Sequence, residues 1–116
     1  MRLNKLGDEG VRQILKSLLK NTTLTSLNLS ANNLGEPSAQ SLSEVFVGNK
    51  TLTALDLSSN GFGEVAGRTL QEAMEENDTL TILDLRLTEI SQQSEYSINQ
   101  AIAANQERAK TTAANA

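Results

Sequence analysis

Three evenly spaced positions carry the side chains best suited to chemistry: Asn28, Asp56 and Asp84. Each lies between two leucines, in the triplets at 27–29, 55–57 and 83–85. If the triplets form neighbouring parallel strands, about 4.8 Å apart, the two carboxylates come close enough to share a proton or hold a hard cation. Arg86 falls on the same face and would relieve the acidic row. Against acid–base chemistry stands a plainer reading, a solvated row that offers a contact to a basic partner. The chain has no histidine and no cysteine. That removes the commonest general base, the thiol nucleophile and the usual zinc ligands. No serine has a base in its sequence neighbourhood. Gly61 and Gly63 in "NGFGEVAG" look faintly like a phosphate-binding loop, yet Gly7, Gly35 and Gly63 recur as turn glycines of a repeat. No catalytic, cofactor-binding or metal-ligating residue is assigned, and the chain is expected not to be an enzyme.

The elements that must position these residues are themselves periodic. "LTSLNLSANNLGE" (24–36) returns as "LTALDLSSNGFGE" (52–64) and, altered, as "LTILDLRLTEISQ" (80–92). Asn4, Asn32 and Asn60 keep the same interval. A fixed period of this length carrying L-x-x-L-x-L-x-x-N-x-L marks leucine-rich repeats. Within each unit the alternation L-x-L is a strand signal with one apolar side, predicting strands near 25–29, 53–57 and 81–85. Buried asparagines would bond the backbone of neighbouring turns, because buried polar groups need partners. The second half of each unit aligns Ile14, Leu42, Leu70 and Ile98, and, four residues on, Leu18, Phe46, Met74 and Ile102. That spacing gives one apolar helix stripe facing the strands. Pro37 suits a first helical position and Ser91 an N-cap. Helices are expected near 8–20, 36–48, 64–76 and 92–107. The fold class is therefore α/β, a leucine-rich-repeat solenoid. It should be a short horseshoe arc of about four strand–turn–helix units with a parallel inner sheet.

Composition narrows the partners. A net charge of −4 argues against nucleic acid, where clustered Lys and Arg would supply affinity. One tyrosine, two phenylalanines and no tryptophan leave no stacking platforms for bases. No apolar run reaches the roughly 18 residues of a membrane span, and "MRLNKLGDEG" lacks the apolar region of a secretory signal. The absence of cysteine suits a reducing compartment, so an intracellular, cytoplasmic location is expected. Four N-x-S/T triplets begin at Asn21, Asn28, Asn49 and Asn77. Three of them recur at the repeat period, so they read as helix-end and turn residues rather than glycosylation sites.

The segment "TLTALDLSSNGFGEVAGRTLQEAMEENDTL" (51–80) resembles the ribonuclease-inhibitor-type class of leucine-rich repeats. That class includes nuclease inhibitors, innate-immune receptor sensors, actin-capping tropomodulins and axonemal proteins. The inhibitors carry many cysteines and tryptophans, and this chain has neither. The last unit, "LDLRLTEISQQSEYSINQAIAANQERAK", resembles a terminal repeat of ciliary or cytoskeletal proteins such as the nexin–dynein regulatory complex subunit. The resemblance implies a non-enzymatic protein–protein interaction module without cofactors. It would be the C-terminal part of a larger intracellular scaffold, or of a cytoskeletal or ciliary assembly. The alternative is a regulatory sensor domain of an innate-immune-type receptor, or an inhibitor of another protein.

The two ends read differently. The repeat domain is placed at 1–108, with units starting near 24, 52 and 80, and residues 109–116 form a polar, disordered tail. At the C-terminal end Thr88 replaces the repeat asparagine, as a capping unit would. At the other end Met1 occupies a strand-leucine position, so the first unit has no complete strand. Ile14, Leu15, Leu18 and Leu19 would then lie beside an open N-terminal edge. Either a longer repeat protein continues there or the edge is covered by self-association. The concave-face candidates for protein binding are Asn28, Asp56, Asp84, Ile82 and Arg86. Neither nucleic acid nor membrane is expected as a partner.

Overall fold

The computed structural model describes residues 7–20, 23–32 and 34–115, with side chains as far as Lys110. Its elements alternate: α1 (Gly7–Leu18), β1 (Ser26–Asn28), α2 (Glu36–Gly48), β2 (Ala54–Asp56), α3 (Gly63–Met74), β3 (Ile82–Asp84) and α4 (Gln92–Asn115). The strands make one parallel sheet in the order β1-β2-β3. Its register is the sequence period: Ser26, Ala54 and Ile82 stand side by side, as do Leu27, Leu55 and Leu83. Backbone bonding runs beyond the regular strands, with Leu29 N donating to Asp56 O and Leu57 N to Asp84 O. The arc measures 42 × 31 × 20 Å.

Leucines at equivalent positions of successive units meet on the inner side and close a single core. Leu29, Leu57 and Leu85 are buried under the sheet, and Leu42, Leu70 and Ile98 bury the helices against it. After each strand the chain turns through a left-handed residue: Ala31, Ser59 and Leu87 have φ of 55°, 59° and 59°. Helix starts are fixed by side chains as well as by propensity. Pro37 opens α2, and Asp8 Oδ1 accepts from Gly35 N and Ser38 Oγ at its first turn. Ser91 Oγ accepts from Ser94 N at the start of α4 (3.1 Å), the N-cap bond its type and position suggest.

Two helices depart from expectation. α1 buries Val11, Leu15 and Leu18, while Ile14 is half-buried. α4 does not end near 107 but continues to Asn115, through the residues read as a disordered tail. The stretch "AIAANQERAKTTAAN" holds no glycine or proline and is rich in alanine, the best helix former, so nothing in it stops the helix.

Buried asparagines join the units. Asn60 Oδ1 accepts from Asn32 N (2.9 Å) and Leu34 N (3.1 Å), while its Nδ2 donates to Leu29 O (3.0 Å). Asn4, the earlier member of that series, lies outside the described residues. A second series sits where each helix gives way to the next strand. Asn49 Nδ2 donates to Leu18 O and Asn77 Nδ2 to Phe46 O, each 31 residues back. Asn77 Oδ1 in turn accepts from Thr79 N, Leu80 N and Asn105 Nδ2. Two of the N-x-S/T triplets are thus structural joints, with Asn49 and Asn77 4% and 6% exposed. Asn21 lies outside the described residues, and Asn28 belongs to the concave face.

The last unit closes itself. Asn105 Nδ2 donates to Leu80 O (2.9 Å) and Gln106 Nε2 to Thr81 O (2.7 Å), so α4 supplies partners from within its own unit. Thr88 Oγ1 donates to Leu85 O at 2.6 Å.

Replacing Asn77 with alanine would leave Leu80 N, Thr79 N and Phe46 O without their buried partner. The expected loss is about 3 kcal/mol by urea unfolding, against less than about 0.5 for Asn99→Ala on the exposed face of α4. A Cβ on Gly67 would fall 2.7 Å from Ile90 Cβ and 2.9 Å from its Cγ2. Gly67→Ala should therefore destabilise by about 1–3 kcal/mol despite alanine's better helix propensity, and a rise in Tm would contradict this packing.

Candidate protein-binding face

Strand alternation turns Leu27, Leu55 and Leu83 toward the core and their neighbours outward. The concave row therefore reads Ser26, Ala54, Ile82 at one position and Asn28, Asp56, Asp84 at the next, as the sequence period requires. The side chains of the second row fold back on their own backbone. Asn28 Oδ1 accepts from Ser30 N (2.9 Å) and Ser30 Oγ (2.7 Å). Asp56 Oδ1 repeats both bonds with Ser58 at the same lengths. These are Asx turns, in which the side chain bonds the main chain two residues on.

In the third of the strand-bearing units, the one that starts near 80, Arg86 stands where the others have serine, and it clamps Asp84. Arg86 N donates to Oδ1 (3.1 Å), Nε to both carboxylate oxygens (3.0 and 3.2 Å), and Nη2 to Oδ2 (2.7 Å). The guanidinium hydrogen bond holds the Asp84 carboxyl below the ordinary aspartate range, outweighing a smaller opposing effect of burial. Arg86 is raised in return, by Asp84 first and slightly by Asp56 from the neighbouring strand. The Arg86 side chain is 82% exposed, so the pair fixes orientation more than it stabilises. The two carboxylates are thus engaged separately, each by its own turn. Among the described residues no group of three or more acidic, histidine or cysteine side chains is placed to hold a metal.

The recess above this row, between Ser26, Asn28, Ala54, Asp56, Ile82 and Asp84, encloses about 230 Å³. Small-molecule sites run from about 300 to 1,000 Å³, so the recess suits a protruding side chain better than a cofactor. Larger hollows lie between the helices on the outer surface. The one between α3 and α4, about 430 Å³, is bordered by Glu64, Arg68, Gln71 and Glu72.

Along the inner face the third unit departs from the first two at three positions. Ser26 and Ala54 give way to Ile82, Ser30 and Ser58 to Arg86, and Ala31 and Ser59 to Leu87. Ile82 is 62% and Leu87 80% exposed. Leu87 is not among the candidates from sequence, although the change from Ala31 and Ser59 marks it. It holds a left-handed backbone, which costs an L-residue about 1–2 kcal/mol and which glycine or asparagine would tolerate better.

The residues expected at an open N-terminal edge do not form one set. Leu15 and Leu18 are buried, and Leu15 faces the junction of α1 with Pro37, Gln40 and Ser41 of α2. Leu19 is exposed beside Gly48, also on the α2 side. Ile14 is half-buried.

A parallel inner sheet, outer helices and asparagine joints, all keeping the sequence period, define a leucine-rich-repeat arc. The family model described as Leucine Rich repeat matches residues 20–43 and 48–70, so the chain carries leucine-rich repeats. Among solved structures the fold is similar to that of leiomodin-1 actin-binding site 2. The TM-score is 0.73 at 15% identity, over 93% of this chain and 79% of that one. It is also similar to the tropomodulin C-terminal domain of Caenorhabditis elegans, with a TM-score of 0.63 at 14% identity, over 100% of this chain and 87% of that one. No curated protein matches the sequence. Among the described residues no helix is long and apolar enough to cross a membrane.

Because the folded pKa of Asp84 lies below its unfolded value, its contribution to stability is complete above the unfolded pKa, about 3.9. It is lost as pH falls through the lower folded value. A carboxyl-carbon NMR titration should place the Asp84 midpoint below about 3.9 and return it upward in Arg86→Ala; an unmoved midpoint would discount the clamp.

Proposed function

We propose that the chain is a non-enzymatic protein-binding module of a cytoskeletal assembly, working inside the cell. Its third repeat would be the principal contact. The observation that carries this reading is the shared arc with leiomodin-1 actin-binding site 2 over nearly the whole chain. The distribution of side chains supports it. Ile82, Arg86 and Leu87 concentrate large apolar and guanidinium groups on one rim, where interfaces place their anchors. The rest of the inner face is small or engaged in its own turns. The buried joints between units make the surface preformed, so little ordering is needed on binding.

Actin filaments are the first partner to test. The chain should sediment with filaments and remain in the supernatant without them; pelleting alone would instead indicate the self-association considered for the N-terminal edge. Ile82→Glu combined with Leu87→Glu should weaken binding by about tenfold or more with the circular dichroism unchanged. Absence of co-sedimentation would remove actin as the partner, and undiminished binding by the double variant would move the contact off this rim.

A further inference from the structure

Asn60 has a neighbour that no other described buried asparagine has. Asn33 follows Asn32, Lys50 follows Asn49, Asp78 follows Asn77 and Gln106 follows Asn105, whereas Gly61 follows Asn60. A glycine nitrogen is the least obstructed backbone nucleophile, since no Cβ shields it and its dihedrals are free. The neighbouring amide carbon of Asn60 is the electrophile within its reach. We propose that Asn60–Gly61 is a latent modification site, protected while the central turn is folded and converted irreversibly when it opens.

The step balances with water as its only co-reactant. Gly61 N attacks Asn60 Cγ, a ring bond forms between these two atoms, and the bond from Cγ to Nδ2 breaks. Ammonia leaves with the proton given up by Gly61. Water then opens the cyclic imide at one of its two carbonyls, leaving either aspartate or an isoaspartyl link at position 60.

In the folded arc this attack is held off by geometry. Asn60 is 2% exposed and both ends of its amide are occupied. Oδ1 accepts from Asn32 N and Leu34 N, and Nδ2 donates to Leu29 O (3.0 Å), Leu57 O (2.9 Å) and Ser58 O (3.3 Å). Swinging Cγ toward Gly61 N would break all five bonds together. Once the turn has opened and reacted, the product does not fit the old site. A carboxylate only accepts hydrogen bonds, so it would confront three carbonyl oxygens with a buried negative charge. An isoaspartyl link lengthens the backbone by one carbon and shifts the turn out of register with its neighbours. Opening of the middle repeat therefore becomes a one-way event on the timescale of the reaction.

The test incubates the full-length protein in mildly alkaline buffer, folded and in urea, and follows the peptide containing residue 60 by mass spectrometry. Conversion should be confined to the urea sample. After dilution from urea, unconverted molecules should regain the native circular dichroism signal and converted ones should lose it. Gly61→Ala provides the chemical control. Its Cβ would lie 3.5 Å from Glu89 Oε2, an ordinary contact, so the variant should fold and its conversion in urea should slow. Equal conversion in folded and unfolded samples would overturn the proposal. So would native refolding of converted molecules, or an undiminished rate in Gly61→Ala.

Discussion

Each turn of this arc leaves backbone groups that neither strand nor helix can use, and these groups lie where water does not reach. Buried asparagine amides answer that demand, because one side chain both donates and accepts within a short reach. Asn60 ties the strand-to-helix turns together, and Asn49 and Asn77 tie each helix end to the next strand. The register of the sheet follows from these joints as much as from the leucines. Leucine supplies burial that would tolerate some sliding; the amides tolerate none.

The period made most of the architecture readable from the sequence. Identical units must present the same residue at the same place, so the pairing of Asn28, Asp56 and Asp84 follows from their spacing alone. The joints of Asn49 and Asn77 are visible as recurring triplets, though not their partners, since Leu18 O and Phe46 O are backbone atoms with no sequence signature. The acidic row is harder. An aspartate that caps its own turn and one that offers a free carboxylate look alike in sequence, and only Ser58 Oγ against Asp56 Oδ1 separates them. Ile14 aligns with Leu42 yet is only half-buried, because burial depends on the neighbours of each unit and not on repeat position alone. Leu87 is marked in the sequence only by its departure from Ala31 and Ser59; its left-handed backbone and its exposure have no sequence signature.

The inner face shows how a repeat scaffold keeps stability and recognition apart. The same Asx turn is built three times, and in the third copy the hydroxyl partner is exchanged for a guanidinium without disturbing the strand. Ser30 and Ser58 spend their side chains on the turn; Arg86 also makes the turn bond through its backbone and extends a charged plane into solvent. Variation can thus accumulate at exposed positions while the joints behind them stay constant. Small outward residues in the first two units leave the rim of the third unobstructed.

The joints also point in one direction. Asn49, Asn60 and Asn77 all reach back to earlier units, by as many as 31 residues, whereas the last unit is completed by Asn105 and Gln106 of its own helix. On a ribosome, which releases the protein from its N-terminal end, a repeat would have its leucines in the open before the amide that secures it had emerged. Each unit would wait for its successor, and the arc would lock only as α4 emerged.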